Sequence, residues 1–399
     1  MRNPLFRIPY TDLLPPSTIT PASASSLQGG VDALHRFFAT PSPLHLPPST
    51  VALTGAGLSV ASGLADYRGV KGTYKVNKDY RPIYYPEFLK NHEARKRYWA
   101  RSFLGWSSLD KASPNTGHYA IRDLGQLGLV RSVITQNVDS FHSQAHPDLP
   151  TLELHGYLRS IICTTCTSEF SRGEFQTELG RLNPPWAALL KEALASGALD
   201  TEDPAERRFK GIKVNPDGDV DLPDAPYTTF RYPSCPKCLS NPPIQPDGHR
   251  HVVKVDSDGA WAHPSTAGIL KPAVVMFGEN IKPAVKDAAE DAIDNAGKLI
   301  VLGTSLATYS AWRLAKRAQD RGMPIAIISM GGVRGEDDFF KEVDPNQQGE
   351  RGVRVELSTD DLLPALVSEL RKDAAAISSA TSTSDAVPRN RGVFKDMLS

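Results

Sequence analysis

Thr50-Val51-Ala52-Leu53-Thr54-Gly55-Ala56-Gly57-Leu58-Ser59 decides how this chain is read. A short apolar and β-branched run leads straight into a Gly-x-Gly turn. That is how an α/β fold ends a buried parallel strand and opens a helix, whose free backbone N–H groups hold phosphate. By itself the turn is weak evidence, because an ordinary tight turn has the same residues. One reading is already disfavoured. The third glycine of a dehydrogenase fingerprint would fall at Val60.

Outward from this strand, further short apolar runs are expected to be buried strands at 132–135, 299–303, 325–329 and 353–357. Helical spacing is expected at 27–39, 115–127, 283–296, 311–321 and 360–370. Strands alternating with helices predict an α/β fold with a doubly wound, Rossmann-like parallel sheet. At 399 residues the chain is long enough for about two to three domains. Lys+Arg and Asp+Glu both number 45, which disfavours a globally basic nucleic-acid binder while leaving room for a local basic patch. No run of 18 apolar residues occurs, so no membrane insertion is expected.

Polar residues cluster where the predicted strands end. Thr135-Gln136-Asn137-Val138-Asp139 puts two amides and a carboxylate at the carboxyl edge of the sheet, a set suited to a ribose and a carboxamide. Gly303-Thr304-Ser305 reads as a second phosphate or ribose turn. Gly63-Leu64-Ala65-Asp66-Tyr67-Arg68 could orient a ribose, shield a reactive carbon and hold a phosphate, or could be a surface ion pair. His155, in Leu154-His155-Gly156, follows an alternating stretch and can emerge into a cleft, with a side chain suited to base work near neutrality. The strand in Lys271-Pro272-Ala273-Val274-Val275-Met276-Phe277-Gly278-Glu279 ends at a glycine and could pair with a peptide backbone.

The four cysteines fall as Cys163-x-x-Cys166 and Cys235-x-x-Cys238. Two disulfides are conceivable, but two such pairs favour one tetrahedral zinc site. The 68 residues between Cys166 and Cys235 exceed what a compact zinc ribbon needs, and include an expected helix at 186–195 and an acidic loop at 215–226. The zinc module is therefore an insertion in the α/β domain. Residues 1–26 hold five prolines and one acid. They read equally as a disordered leader or, with their Arg and hydroxyl residues, as a transit peptide. The Ala/Ser/Thr-rich tail at 373–399 is expected to be disordered.

Taken together, GAGLS, ADYR, TQNVD, LHG, the two CxxC pairs, KPAVVMFGE and GTS resemble the sirtuins, NAD-dependent protein-lysine deacylases. The combination is specific although no single motif is. GLADYRG, RPIYYPEF and RYWARSFLGW look most like the class II branch, including the mitochondrial sirtuin-four type. The resemblance implies a catalytic domain over 27–372. Its large Rossmann-like part would span about 27–70, 107–158 and 270–372, and its small helical and zinc part about 71–106 and 159–269. It implies that Ala56, Gly57, Asp66, Tyr67, Arg68, Gln136, Gly303, Thr304, Ser305 and Ser329 hold NAD. Asn137 and Asp139 would order the nicotinamide pocket, and His155 would be the base. Val275, Gly278 and Glu279 would pair with the acyl-lysine protein substrate, and the zinc would be structural. The implied reaction has no hydride step. The acyl oxygen displaces nicotinamide from the ribose, His155 deprotonates a ribose hydroxyl, and water releases lysine and O-acyl-ADP-ribose.

Tyr98 and Arg101, three apart on an expected helix, match a Tyr-x-x-Arg pair that binds acidic acyl groups in some family members; the alternatives are a crowded basic helix face and a pocket for a lipoyl or other long acyl chain. Departures from the family are Ala65 for a proline, Thr308 for a valine, Ser329 for an asparagine at the adenosine ribose, and Thr359-Asp360 near the adenine. A monomer in the mitochondrial matrix is expected, with the nucleus or cytosol as the alternative. A mono-ADP-ribosyltransferase using the same site, and a non-catalytic NAD-sensing zinc module, are the competing functions.

Overall fold

The computed structural model describes residues 14–69, 71–76, 80–197, 213–214, 218–222 and 225–384. Its centre is a six-stranded parallel sheet. The strands are β1 (Thr50–Thr54), β2 (Val130–Thr135) and β3 (Thr151–Glu153), then β11 (Lys298–Leu302), β12 (Ile325–Ile328) and β13 (Gly352–Val355). The spatial order is β13-β12-β11-β1-β2-β3. The chain leaves β1 toward one side and returns at β11 to build the other, so β1 and β11 flank the topological switch point where such sheets bind ligands.

Both faces of the sheet are covered, which is why the central strands β1, β11 and β12 are buried throughout and read as largely apolar runs. Ala52, Ile300, Leu302, Ala326 and Ile328 pack on one side with α1 (Leu27–Ala39), a helix at Thr116–Gln126 and the helix at Thr359–Ser384. Val51, Leu53, Leu299, Val301, Ile325 and Ile327 pack on the other with Pro283–Asp294 and Tyr309–Asp320. Adjacent residues of one strand thus serve opposite cores, as a pleated strand requires.

The smaller lobe is built on an antiparallel sheet, β10-β4-β5. These strands are β4 (Gly156–Cys163), β5 (Glu169–Ser171) and β10 (Leu270–Val274); between β5 and β10 lie two short hairpins, β6 (Lys213–Val214) with β7 (Val220–Asp221) and β8 (Lys254–Val255) with β9 (Trp261–Ala262). The helix His92–Lys111 buries Trp99, Phe103 and Leu104 against Phe175, Phe230 and Trp261.

Several expected boundaries move. β10 pairs with β4 and so belongs to the small sheet, whereas the sequence expectation restarts the large part at 270. Residues 14–26 are not a disordered leader. Thr20 and Arg354 exchange backbone hydrogen bonds of 3.1 and 2.6 Å, and Ser26 caps α1. The tail does not become irregular at 373, because the last helix continues to Ser384 through an alanine-rich stretch that propagates a helix already nucleated. Residues 1–13, 385–399 and parts of the acidic loop at 215–226 lie outside the described residues.

Candidate functional site

The turns that follow β1, β2 and β11 meet at the carboxyl edge of the sheet. Gly57 N–H donates to the Gly303 carbonyl at 2.8 Å. A Cβ on Gly57 would stand 2.7 Å from that oxygen, and Gly303 has φ +59°. Both positions therefore require glycine. This close approach floors a cleft of about 1210 Å³ between the two lobes.

The same cleft is lined by Ala56, Gly57, Asp66, Tyr67, Arg68, Gln136, Asn137, Asp139, His155, Gly303, Thr304, Ser305 and Ser329. Tyr98, Arg101, Val275, Gly278 and Glu279 line it from the small-lobe side. Residues scattered over almost the whole chain are thus brought to one cavity. The cysteines stand apart from it.

Three residues form the polar core of the cleft. The Asn137 amide donates to the Gly55 carbonyl at 3.1 Å and to Ser59 Oγ at 3.0 Å. Ser59 Oγ in turn donates to Asp139 Oδ2 at 2.7 Å, while Asp139 Oδ1 accepts from the Phe141 N–H at 3.0 Å. Burial pushes the Asp139 carboxyl above its usual range, and the Phe141 and Ser59 donors partly offset this. Gln136 is clamped at both ends. Its Nε2 donates to the Thr54 carbonyl and Thr304 Oγ1, and its Oε1 accepts from Thr308 Oγ1. The threonine that departs from the family pattern therefore has a job in this chain.

His155 sits at the joint between β3 and β4. Its Nδ1 is 3.1 Å from the Gln136 carbonyl, which only accepts, so Nδ1 carries the proton. Nε2 then presents its lone pair to Ser310 Oγ at 2.8 Å. Burial pushes the imidazole down to about 4, against the pull of the Gln136 carbonyl. The ring is therefore neutral at physiological pH, as a base must be.

Other expected residues are held in ways the sequence did not show. Arg68 lies 4.8 Å over the Tyr74 ring, and Tyr67 packs edge-on to Phe277 at 6.3 Å. The Val275 N–H donates to the His155 carbonyl at 2.7 Å, and the Glu279 N–H to the Met276 carbonyl at 2.9 Å. The Glu279 carboxylate accepts from the Met276 N–H and pairs with Lys271 at 3.1 Å. The Glu279 side chain thus holds the loop. Arg101 is not an open cation, since its Nη2 lies 2.5 Å from Asp219 Oδ2. Asp360 turns its carboxylate to the start of the Thr116–Gln126 helix, accepting from the Gly117 N–H at 3.2 Å.

Sequence reasoning missed Ser59, Ser310 and Arg354. Ser59 closes the quoted Gly-x-Gly stretch and was the nearest to being found. Arg354 is fully buried in β13, paired with Glu336 at 2.8 Å. Its guanidinium also binds the carbonyls of Ser329, Val355 and Gly331, fixing the loop at the far end of the cleft.

The four cysteine sulfurs all lie within 4.8 Å of one another. The Cys163–Cys238 and Cys166–Cys235 separations are both 3.6 Å. Thiolates at zinc–sulfur bonds of about 2.3 Å on a tetrahedron sit about 3.8 Å apart, whereas a disulfide needs about 2.05 Å. The cluster suits one structural zinc ion, with all four positions filled by protein.

The Sir2 family model matches residues 55–310. The chain belongs to the Sir2 family. It is 40% identical over 295 residues to the NAD-dependent protein deacylase SIR4 of Batrachochytrium dendrobatidis, covering 72% of this chain and 83% of the relative. The NAD-dependent protein deacylase SRT2 of Arabidopsis thaliana is 34% identical over 77% of this chain and 71% of its own length. The human NAD-dependent protein lipoamidase sirtuin-4, mitochondrial, is 31% identical over 79% of this chain and 83% of its own length. These relatives agree with the class II resemblance. A solved structure described as showing the mechanism and regulation of Sir2 enzymes shares the fold, with a TM-score of 0.53 at 23% identity over 86% of this chain and 97% of its own. Among the described residues of this sirtuin, no helix is long and apolar enough to cross a membrane.

Proposed function

We propose that this sirtuin is an NAD-dependent protein-lysine deacylase that releases nicotinamide and O-acyl-ADP-ribose. The observation that carries the reading is the neutral His155, with its proton fixed on Nδ1 and its lone pair facing the cleft. NAD, when bound, supplies an electrophilic ribose carbon and the acceptor hydroxyls. The chain's residues do the rest. Gly57 and Gly303, whose own N–H groups bind the Gly303 and Ile328 carbonyls, keep the floor of the turns clear so that a phosphate can approach the neighbouring backbone. Asn137 and Asp139, locked by Ser59, hold the carboxamide end. His155 Nε2 gives up its bond from Ser310 and accepts the ribose hydroxyl proton. The pairing surface near β10 aligns an extended acyl-lysine peptide. The relatives' names support a mitochondrial setting, and acylated proteins are the partners this reading requires.

The test is a mass-spectrometric panel of acetyl-, succinyl-, glutaryl- and lipoyl-lysine peptides with zinc-loaded protein and NAD. Loss of the acyl mass, matched by O-acyl-ADP-ribose and absent in His155→Ala, is the expected result. ADP-ribose retained on a protein acceptor, with no peptide deacylated, would replace this reading with ADP-ribosyl transfer.

A further inference from the structure

Arg101 sits inside the small-lobe wall of the cleft, with its side chain 7% exposed. Its partner comes from far along the chain. Asp219 lies in the long insertion between the cysteine pairs, lines the same cleft and has its side chain 14% exposed. The segment that delivers it is seated firmly. One turn beyond Arg101, Gly105 lets the Gly218 carbonyl lie directly on the helix, and a Cβ at Gly105 would come within 1.8 Å of that oxygen. Gly218 takes φ +71°, a conformation that favours glycine. On the other side of Asp219, Val220 is 1% exposed, and the Asp221 carboxylate accepts from Tyr227 Oη at 2.8 Å. Asp219 is therefore an anchored carboxylate held against the guanidinium by the fold.

The electrostatic consequence follows directly. A lone buried guanidinium would draw in an acyl chain ending in a carboxylate. A guanidinium already matched by a tethered carboxylate offers the cleft no net charge. A second carboxylate arriving there would meet Asp219 as a like charge. It would also have to displace a group held at the high effective concentration that tethering gives. We propose that Asp219 is a specificity-determining residue, which supplies Arg101 with its carboxylate in cis, so that the acyl pocket takes uncharged acyl chains and turns away acidic ones. This inference rests on the deacylase reading and reverses the expectation that Arg101 recruits acidic acyl groups.

Binding without turnover tests it. Acetyl-, octanoyl-, succinyl- and glutaryl-lysine forms of one peptide are titrated by calorimetry into the full-length, zinc-loaded, NAD-free protein. The wild type is compared with Asp219→Asn, which keeps the shape and removes the charge. The double variant Arg101→Gln/Asp219→Asn carries neither charge and leaves no buried ion unpaired. Thermal melts verify that each variant is folded. Wild type is expected to prefer the uncharged peptides. Asp219→Asn should tighten succinyl and glutaryl binding about tenfold or more, with the uncharged peptides little changed. The double variant should lose that gain. The proposal is overturned if wild type binds the acidic peptides as tightly as the uncharged ones, or if Asp219→Asn leaves their ratio unchanged. If no peptide binds at all, the deacylase reading itself falls and takes the proposal with it.

Discussion

The hydroxyl of Ser59 accepts from Asn137 and donates to Asp139, so one small side chain orients both groups at the end of the cleft proposed to hold nicotinamide. Removing it would leave a buried carboxylate and a buried amide each short of one partner, a loss of about 1–3 kcal/mol. Ser59→Ala should therefore lower kcat/KM for nicotinamide release by roughly tenfold to a hundredfold, with thermal stability reduced far less than the fold could tolerate. A steady-state assay on the two proteins settles it, and unchanged kcat/KM would show that Asn137 and Asp139 are held by other contacts. Ser59 also marks a limit of reading from sequence. Asn137, Asp139 and His155 could be picked out because each follows a strand and carries a side chain with obvious chemistry. A serine has little to distinguish it until the turn after β1 is seen folding back over the loop after β2. Arg101 shows the opposite failure. Its spacing from Tyr98 was read correctly, but its charge is cancelled by Asp219, 118 positions later in a segment with no recognisable pattern.

Five of the six strands of the large sheet were legible because burial leaves an apolar run in each, and their ends moved by only a few residues; β3 is half-buried and shows only a short alternating pattern. The small lobe was not legible in that way. Only the strand that begins near Lys271 stood out there; β5 is three residues long, β4 mixes exposed and buried positions, and the lobe's order comes from the cysteine cluster and from aromatic packing rather than from any period. That difference predicts how the lobes fail. Cys163 ends β4 and Cys235 opens the short helix Pro236–Ser240, so the sulfurs tie together both ends of a long excursion. Zinc sites of this type contribute directly to folding. Chelating the ion should disorder the lobe that contains Trp99, Trp186 and Trp261 while the parallel sheet persists. The expected readout is a red-shifted tryptophan emission with a partial loss of helical far-UV dichroism, since the lobe carries the helices His92–Lys111, Arg172–Leu182 and Pro184–Ala195, released zinc being counted with a colorimetric dye. Full retention of native emission after zinc loss would show that the aromatic core stands alone.

Across the whole molecule, acid stability is set by histidines that the fold keeps neutral. His118, His142 and His146 stack in a buried row, with ring centroids 5.0 Å apart at each step, and His142 bonds Thr54 at 2.8 Å. Burial and their mutual repulsion push His118 down to about 3 and His142 well below its ordinary value of 6.5. The folded state then refuses protons that the unfolded chain accepts. Stability is therefore complete above about pH 6.5 and falls as the pH drops below it, by at most about 1.4 kcal/mol per pH unit for a single group such as His118. Urea midpoints at pH 7.5 and 5 should differ accordingly, and His118→Gln should flatten the slope; equal midpoints would contradict the assignment. The margins of the large sheet carry a different consequence. β3 is only three residues long, and β13 is bridged by Thr20 at the edge that a foreign strand would otherwise use. Exposed strand edges recruit other chains, and short or covered edges resist them. A shortened protein starting after Thr20 would present bare backbone along β13. Its first symptom would then be self-association through that margin.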